Sequence, residues 1–432
     1  MYNIQALQRV RFYQEANGEY AIDKQSLLDT DFSDIKVTEA SMEITQEQLD
    51  NETMQQRLDR QLPKVNSRKR SKFSFTSYLN GKGFAITESV ANVTTPIEKV
   101  LSTVMGASSA TVANKFVASS TTGMYQLSGS STSNKAGSVL AWMNPSTSRL
   151  ECIPVLSRDS ASNSVTCSVG FSASPTAGDV FYGGSTVYLT QDPNKSLQFY
   201  IEGANTTDKW NLLGLQGGFG LKCEIGALPQ INFDLEGADW ATGSATSSLS
   251  NATYSDATPP PYVDGNFYVN FAYNNLTGSR NVMNSIDINS IELTPAIEYL
   301  DVTSEKGVNN IVRKRRNRKT PVLSGKFVTY VDDTDTMQNF IDIQKGLYQG
   351  GSNKTNNSQY IGIGLQVGNQ PGNTIFISIP FCQITNVARV DAGGLAGYEV
   401  SFDAHENDVA SPEGTSTSNA DFAASAFSLT FC

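Results

Sequence analysis

Apolar and polar residues alternate with a period of two through most of this chain. "ASMEITQ" (40–46), "KFSFTSYL" (72–79), "SLQFYIEG" (196–203), "KWNLLGLQGG" (209–218) and "ALPQINFDLEGA" (227–238) each place one side of an extended segment inward. That alternation predicts half-buried β-strands. A second series follows in "NSIELTPAIEYL" (289–300), "GKFVTYV" (325–331), "QYIGIGLQVG" (359–368), "NTIFISIPFCQI" (373–384) and "LAGYEVSFDAHE" (395–406), and "SAFSLTFC" ends the chain. Two segments change to a helical period. In "TTPIEKVLSTVMGA" (94–107) Thr95 can cap, Pro96 suits the first turn, and Ile97, Val100, Leu101 and Val104 form one stripe. In "DTDTMQNFIDIQKGLYQGG" (333–351) Asp335 or Thr336 can cap, with Met337, Phe340, Ile341 and Leu347 apolar.

The elements fall in one order twice: strand, long polar stretch, basic cluster, strand, helix, then several strands. This order predicts a duplicated unit, with a first domain over 1–245, a linker over 246–265 and a second domain over 266–432. The linker holds three consecutive prolines in "ATPPPYVDG", which forbid a helix and favour an extended chain. The first copy is longer by an insert at about 108–193. There "GSVLAWM", "RLECIPVLS", "NSVTCSVGF" and "GDVFYGGSTVYLT" predict a small barrel or meander, mounted on the surface and not needed by the common core.

Charge sharpens this picture. The net charge is −10, from 42 acids against 32 bases, so phosphate is repelled on average. The cations nevertheless gather at two places, Lys64, Arg68, Lys69, Arg70 and Lys72, and Arg313, Lys314, Arg315, Arg316, Arg318 and Lys319. Each cluster follows a polar stretch and runs into a strand, which is not the continuous basic helix that enters a DNA groove. Charged residues are only 17% of the chain, while small polar residues abound, as suits a strand-rich protein with many turns.

Candidate chemistry is sparse. Five scattered cysteines form no CxxC and read as reduced, buried core residues. His405 stands alone among acids, and no phosphate-binding loop, HExxH, GxSxG or EF-hand pattern occurs. Neither a signal-peptide core nor an apolar run of membrane-spanning length is present, so the reading is a non-enzymatic protein made in a cytoplasm, with no cofactor, metal or membrane.

Several stretches resemble phage major tail tube proteins: "ALQRVRFYQEANGEY", the run from "TDFSDIKV" to "SRKRSKFSFTSYLNGKG", "AGDVFYGGSTVYLTQDPNKSLQFYIEG" and "KWNLLGLQGGFGLKCEIGALPQINFDLEG". "VRKRRNRKTPVLSGKF" with "GNTIFISIPFCQI" resembles a second copy. The resemblance implies a mainly β chain of two tandem tube β-sandwich domains, each flanked by one helix, whose sheets join between subunits into a β-barrel. Single-domain members form hexameric rings, so two copies per chain imply a homotrimer forming a pseudo-hexameric ring. The implied function is a structural virion protein of a tailed bacteriophage, whose stacked rings conduct DNA during ejection. It implies a place in the virion tail, assembly in the host bacterium, and tape measure, tail terminator and tail-tip proteins as partners. Double-stranded DNA is expected to pass without specific binding along an acidic lumen, and the two basic clusters are expected to act in ring stacking. Two other readings are a single head–tail or tail-tip adaptor ring on the same fold, and a β-rich carbohydrate-binding module using the Ser/Thr-rich insert and Trp142.

Overall fold

The computed structural model describes residues 9–16, 20–21, 31–49, 64–87, 89–90, 92–111, 113–121, 124–128, 138–159, 162–167, 170–189, 195–203, 209–242, 258–263, 265–269, 286–296, 299–300, 317–318, 322–330, 360–405 and 425–432. Alternating segments become strands, and 17 of them share one hydrogen-bonded network. In the first half Arg9–Gln14 lies beside Leu197–Glu202, which lies beside the long strand Lys209–Glu224. The far part of that strand continues the ladder to Gln230–Gly237, Val65–Tyr78 and Glu39–Leu49. In the second half the run is Phe267–Val269, Tyr360–Val367, Ile375–Ala392, Leu395–Ala404, Val322–Tyr330 and Ile288–Ala296.

The two ladders meet twice. Leu221–Glu224 pairs antiparallel with Ser290–Leu293, carrying the sheet across. Ser428–Phe431 lies between Ile375–Ser378 and Ser185–Tyr188, tying the end of the chain to the first half. Inward residues fill a shared core in which Phe75 stacks on Phe233 at 4.8 Å and Phe73 meets Phe199 at 5.0 Å. The helix Pro96–Met105 lies where its pattern placed it, and Thr95 and Glu98 form a reciprocal capping box at its start.

The expected pair of sandwiches with one helix each needs correction. Pro96–Met105 is the single helix among the described residues, and backbone hydrogen bonds join the two halves into one sheet system. The second helix expected over 333–351 lies outside the described residues. The physical reason for the fusion is the length of Lys209–Glu224. It runs on past Leu197–Glu202, which pairs only as far as Leu215, and on that same edge offers Leu221–Glu224 to the other half.

The insert closes into a six-stranded barrel of Asn114–Thr121, Met124–Leu127, Val139–Asn144, Arg149–Asp159, Ser164–Cys167 and Val180–Tyr182. Phe116, Tyr125, Trp142, Phe171 and Phe181 fill it with edge and stacked contacts. Trp142 is 2% exposed, and its Nε1 donates to Asp179 Oδ2 at 3.1 Å, so it is no sugar-binding platform. The Thr176 backbone N–H, with the Thr176 hydroxyl and Trp142 adding to it, holds the Asp179 carboxyl below the usual range. The insert is also less peripheral than its pattern implies. Gly184–Leu189, inside the expected 108–193 span, is a strand of the main sheet. On the barrel wall, Val139, Ala141, Leu150 and Cys152 pack against Phe376 and Cys432 of the second half. Buried Gln366 completes this joint, accepting from Cys152 N at 2.9 Å and donating to Leu150 O at 2.7 Å.

Charge is buried where it is paired. Lys82 Nζ lies 2.7 Å from Glu98 Oε1, with both side chains out of solvent. Ser185 Oγ and Thr95 N also donate to Glu98, which ties the helix start to the sheet. Glu98→Ala strands the Lys82 ammonium, and we expect a loss of about 3–5 kcal/mol in urea unfolding. Adding Lys82→Met to that variant should recover much of the loss.

Candidate functional site

Eight strand segments run side by side without a break. Their order is Glu39–Leu49, Val65–Tyr78, Gln230–Gly237, the end of Lys209–Glu224, Ile288–Ala296, Val322–Tyr330, Leu395–Ala404 and the end of Ile375–Ala392. One side rests on the core. Because paired residues share a side, the register defines what the other side shows. One row is Lys222, Glu292, Lys326, Ser401; the next is Glu224, Ser290, Val328, Glu399; farther along lies Glu43, Lys72, Glu236.

The cations of this face sit among carboxylates. Lys326 Nζ lies 3.3 Å from Glu399 and 3.7 Å from Glu292, Lys222 lies 3.1 Å from Glu224, and Lys72 lies 3.3 Å from Asp234. Glu39, Glu43, Glu236 and Asp403 add charge on the same side, so the face is acidic. At its two ends across the strands the described residues leave bare edges. Among the described residues no strand pairs with the outer edge of Glu39–Leu49 or with the outer side of 385–392.

The first basic cluster lies mostly on this sheet. Arg68, Lys69, Arg70 and Lys72 are inside the strand Val65–Tyr78, and exposed Lys64 immediately precedes it. The sequence pattern starts this strand at Lys72 and leaves the other four cations ahead of it. Arg70 lies 3.7 Å from Glu47. Lys69 points the other way, 4.9 Å from the Trp240 ring centroid and 3.9 Å from Asp239. Of the second cluster, Arg318 is in a two-residue strand, Asn317–Arg318, beside Tyr299–Leu300. Arg313, Lys314, Arg315, Arg316 and Lys319 lie outside the described residues. The structure therefore does not bring the two clusters together within what it describes. The sequence reading expected an acidic surface without naming its residues, although the outward carboxylates are visible in the alternation of "NFDLEG" and "IELT".

Among the described residues no group of three or more His, Cys, Asp or Glu side chains could hold a metal ion, and His405 is exposed. All five cysteines are buried and free of disulfides; burial pushes the Cys223 thiol up to about 12. Among the described residues no helix is long and apolar enough to cross a membrane.

No protein-family model matches the chain, and no curated protein matches it. Among solved structures, a chain from the tail of an empty gene transfer agent particle, computed with helical refinement in C6 symmetry, is 17% identical with a TM-score of 0.19. The match covers 32% of this chain and 88% of that one. A chain from the virion of a native gene transfer agent particle is 15% identical with a TM-score of 0.19, covering 32% of this chain and 89% of that one. The chain thus has a weak structural likeness, over part of its length, to chains of such particles.

The exposed ion pairs of the face carry little folding energy. Lys222→Glu and Lys326→Glu are each expected to shift urea unfolding by no more than about 1 kcal/mol. A larger loss would place these side chains in the packing of the core.

Proposed function

We propose that this chain is the major tube subunit of a phage-like tail, three chains closing each ring and stacked rings conducting DNA. The observation that carries this reading is the register of the junction between the two halves. Ser77 Oγ donates to Lys36 O at 2.7 Å and Thr329 Oγ1 donates to Asp287 O at 2.8 Å, so Phe75 answers to Phe327. From there Phe233 answers to Val400, Phe219 to Val387, and Lys222 to Val390. The row starting at Lys222 passes Glu292, Lys326 and Ser401 and reaches Asn386, four residues short of Val390. In the first half the row Ser41, Ser74, Asp234 reaches Gly218, again four residues short of Lys222.

Each set of four strands thus advances the register by four residues. Repetition keeps shear equal to strand number, the relation found in eight-stranded (β/α)₈ barrels, with a tilt of about 36°. Any such repeat closes without bending the strands out of their usual range. Three chains supply about 24 strands, which at about 4.8 Å spacing and that tilt form a backbone ring roughly 45 Å across. Each chain contributes two domains on this reading, 1–245 and 266–432. The bare edges disappear, because Glu39–Leu49 of one chain takes the outer side of 385–392 of the next.

Closure with the core outside turns the acidic face inward. A lumen that repels phosphate lets DNA slide, whereas phosphates held by many cations need several counterion-coupled contacts broken for each step. The fold then acts by shape and charge alone, in a virion tail assembled in a bacterial host. Tape measure, terminator and tail-tip proteins are the partners this reading calls for.

The junction predicts the register between chains: Arg389 opposite Met42, Val390 opposite Ser41, Asp391 opposite Ala40 and Ala392 opposite Glu39. Ser41→Cys with Val390→Cys should therefore cross-link under mild oxidation into covalent trimers on a non-reducing gel. Glu43→Cys with Val390→Cys, two residues out of register, should give far less. Equal yields from both pairs, or a ladder that ends at six chains, would contradict the reading. A single-ring adaptor predicts the same cross-link but no elongation in negative stain.

A further inference from the structure

Two of the buried cysteines face each other across the joint between the insert barrel and the second half. Cys152 stands on the barrel strand Arg149–Asp159 and is 0% exposed; Cys432 follows the strand Ser428–Phe431 and is 2% exposed. Their thiols share a hydrogen bond, although the residues are far apart in the chain. Both backbones are held in place. Cys152 N donates to Gln366 Oε1 at 2.9 Å. Cys432 N donates to Thr374 O at 2.9 Å, and Thr374 N donates back to Cys432 O at 3.3 Å. Gly184 keeps the space beside the second sulfur open, since a Cβ there would stand 3.4 Å from Cys432 Sγ and 2.5 Å from Phe431 O.

The other cysteines are placed differently. Cys167 lies inside the barrel, while Cys223 and Cys382 lie in the main core, where Cys382 Sγ donates to Ile379 O at 3.8 Å. Burial lifts each of these three thiols, with no second cysteine contributing. At the joint, burial first and then the hydrogen bond with Cys432 hold the Cys152 thiol well above its ordinary range. Its thiolate is therefore scarce, and the reduced pair is inert while the joint stays closed.

We propose that Cys152 and Cys432 are a cross-linking pair, which closes into a disulfide and fastens the insert barrel to the second half when the chain meets a small disulfide oxidant, RSSR. One protein thiol, uncovered as the joint opens locally, loses its proton and attacks RSSR. The departing RS⁻ takes up that proton and leaves as RSH. The second protein thiol then attacks the mixed disulfide and expels another RSH. Two thiols become one disulfide as one RSSR becomes two RSH, so atoms and electrons balance. Sulfurs already in hydrogen-bond contact need approach by only about 1–2 Å to reach the bonded distance. The bond secures a contact otherwise made of apolar packing and the Gln366 hydrogen bonds. A reducing compartment keeps the pair as thiols, and an oxidising one converts it.

The test holds the folded, full-length chain in glutathione disulfide or in dithiothreitol, then quenches it with acid, denatures it and alkylates it. Glutathione disulfide should remove two of the five alkylatable thiols, and a digest should yield one peptide pair joined through Cys152 and Cys432. The oxidised chain should unfold in urea about tenfold more slowly by tryptophan fluorescence, and dithiothreitol should restore the original rate. Cys432→Ala should show neither the joined peptide nor the change in rate. The thiol count on the wild type carries the test even if that variant folds poorly. Five alkylated thiols after oxidation, or a glutathione adduct at either cysteine without the joined peptide, would overturn the proposal. So would a joined peptide that leaves the unfolding rate unchanged.

Discussion

Everything in this structure depends on four residue pairs, Leu221–Glu224 against Ser290–Leu293. A strand edge without a partner exposes a row of N–H and C=O groups, which is costly and invites association. The first half would end in such an edge, and the second half covers it. On the proposed reading, the chain carries within itself one copy of the contact that joins it to its neighbours. Among the described residues, the outer edge of Glu39–Leu49 and the outer side of 385–392 have no strand partner.

Other joints make the covered edge rigid. Ser428–Phe431 bridges the halves on the far side of the core, and the insert barrel rests on the second half through Gln366, Phe376 and Cys432. Gln366 matters because it is buried and bonded at both amide atoms, so losing it leaves backbone groups of the barrel wall unsatisfied. The Lys82–Glu98 pair fixes the helix against Gly184–Leu189 by the same logic. A sheet held from three sides can present its acidic face in one fixed register. That property suits a wall better than a mobile binding loop.

Much of this order was legible in the residues. Alternation located the strands, and Thr95, Pro96 and the stripe of Ile97, Val100, Leu101 and Val104 located the helix because capping is a local rule. Register was not legible, since a slip of two residues keeps every side chain on the same side of the sheet. That is why the shear and the junction appear only in the structure. The start of Val65–Tyr78 was also missed, because "VNSRKR" has no apolar alternation and is held by pairing with Glu39–Leu49. Trp142 looked like a surface residue from a Ser/Thr-rich context, whereas barrel closure buried it. The insert's seat on the second half includes a glutamine inside "GIGLQVG", a residue type that no local pattern marks as a joint.

The central claim is that the sheet continues from chain to chain as it does from half to half. Electron cryomicroscopy of the assembled protein measures this directly. The account predicts three chains around each ring, an unbroken inner sheet and Val390 opposite Ser41, with the face of Glu43, Glu236, Glu292 and Glu399 turned inward. Rings in which Glu39–Leu49 and 385–392 remain unpaired, or in which that face lies outside, would contradict it.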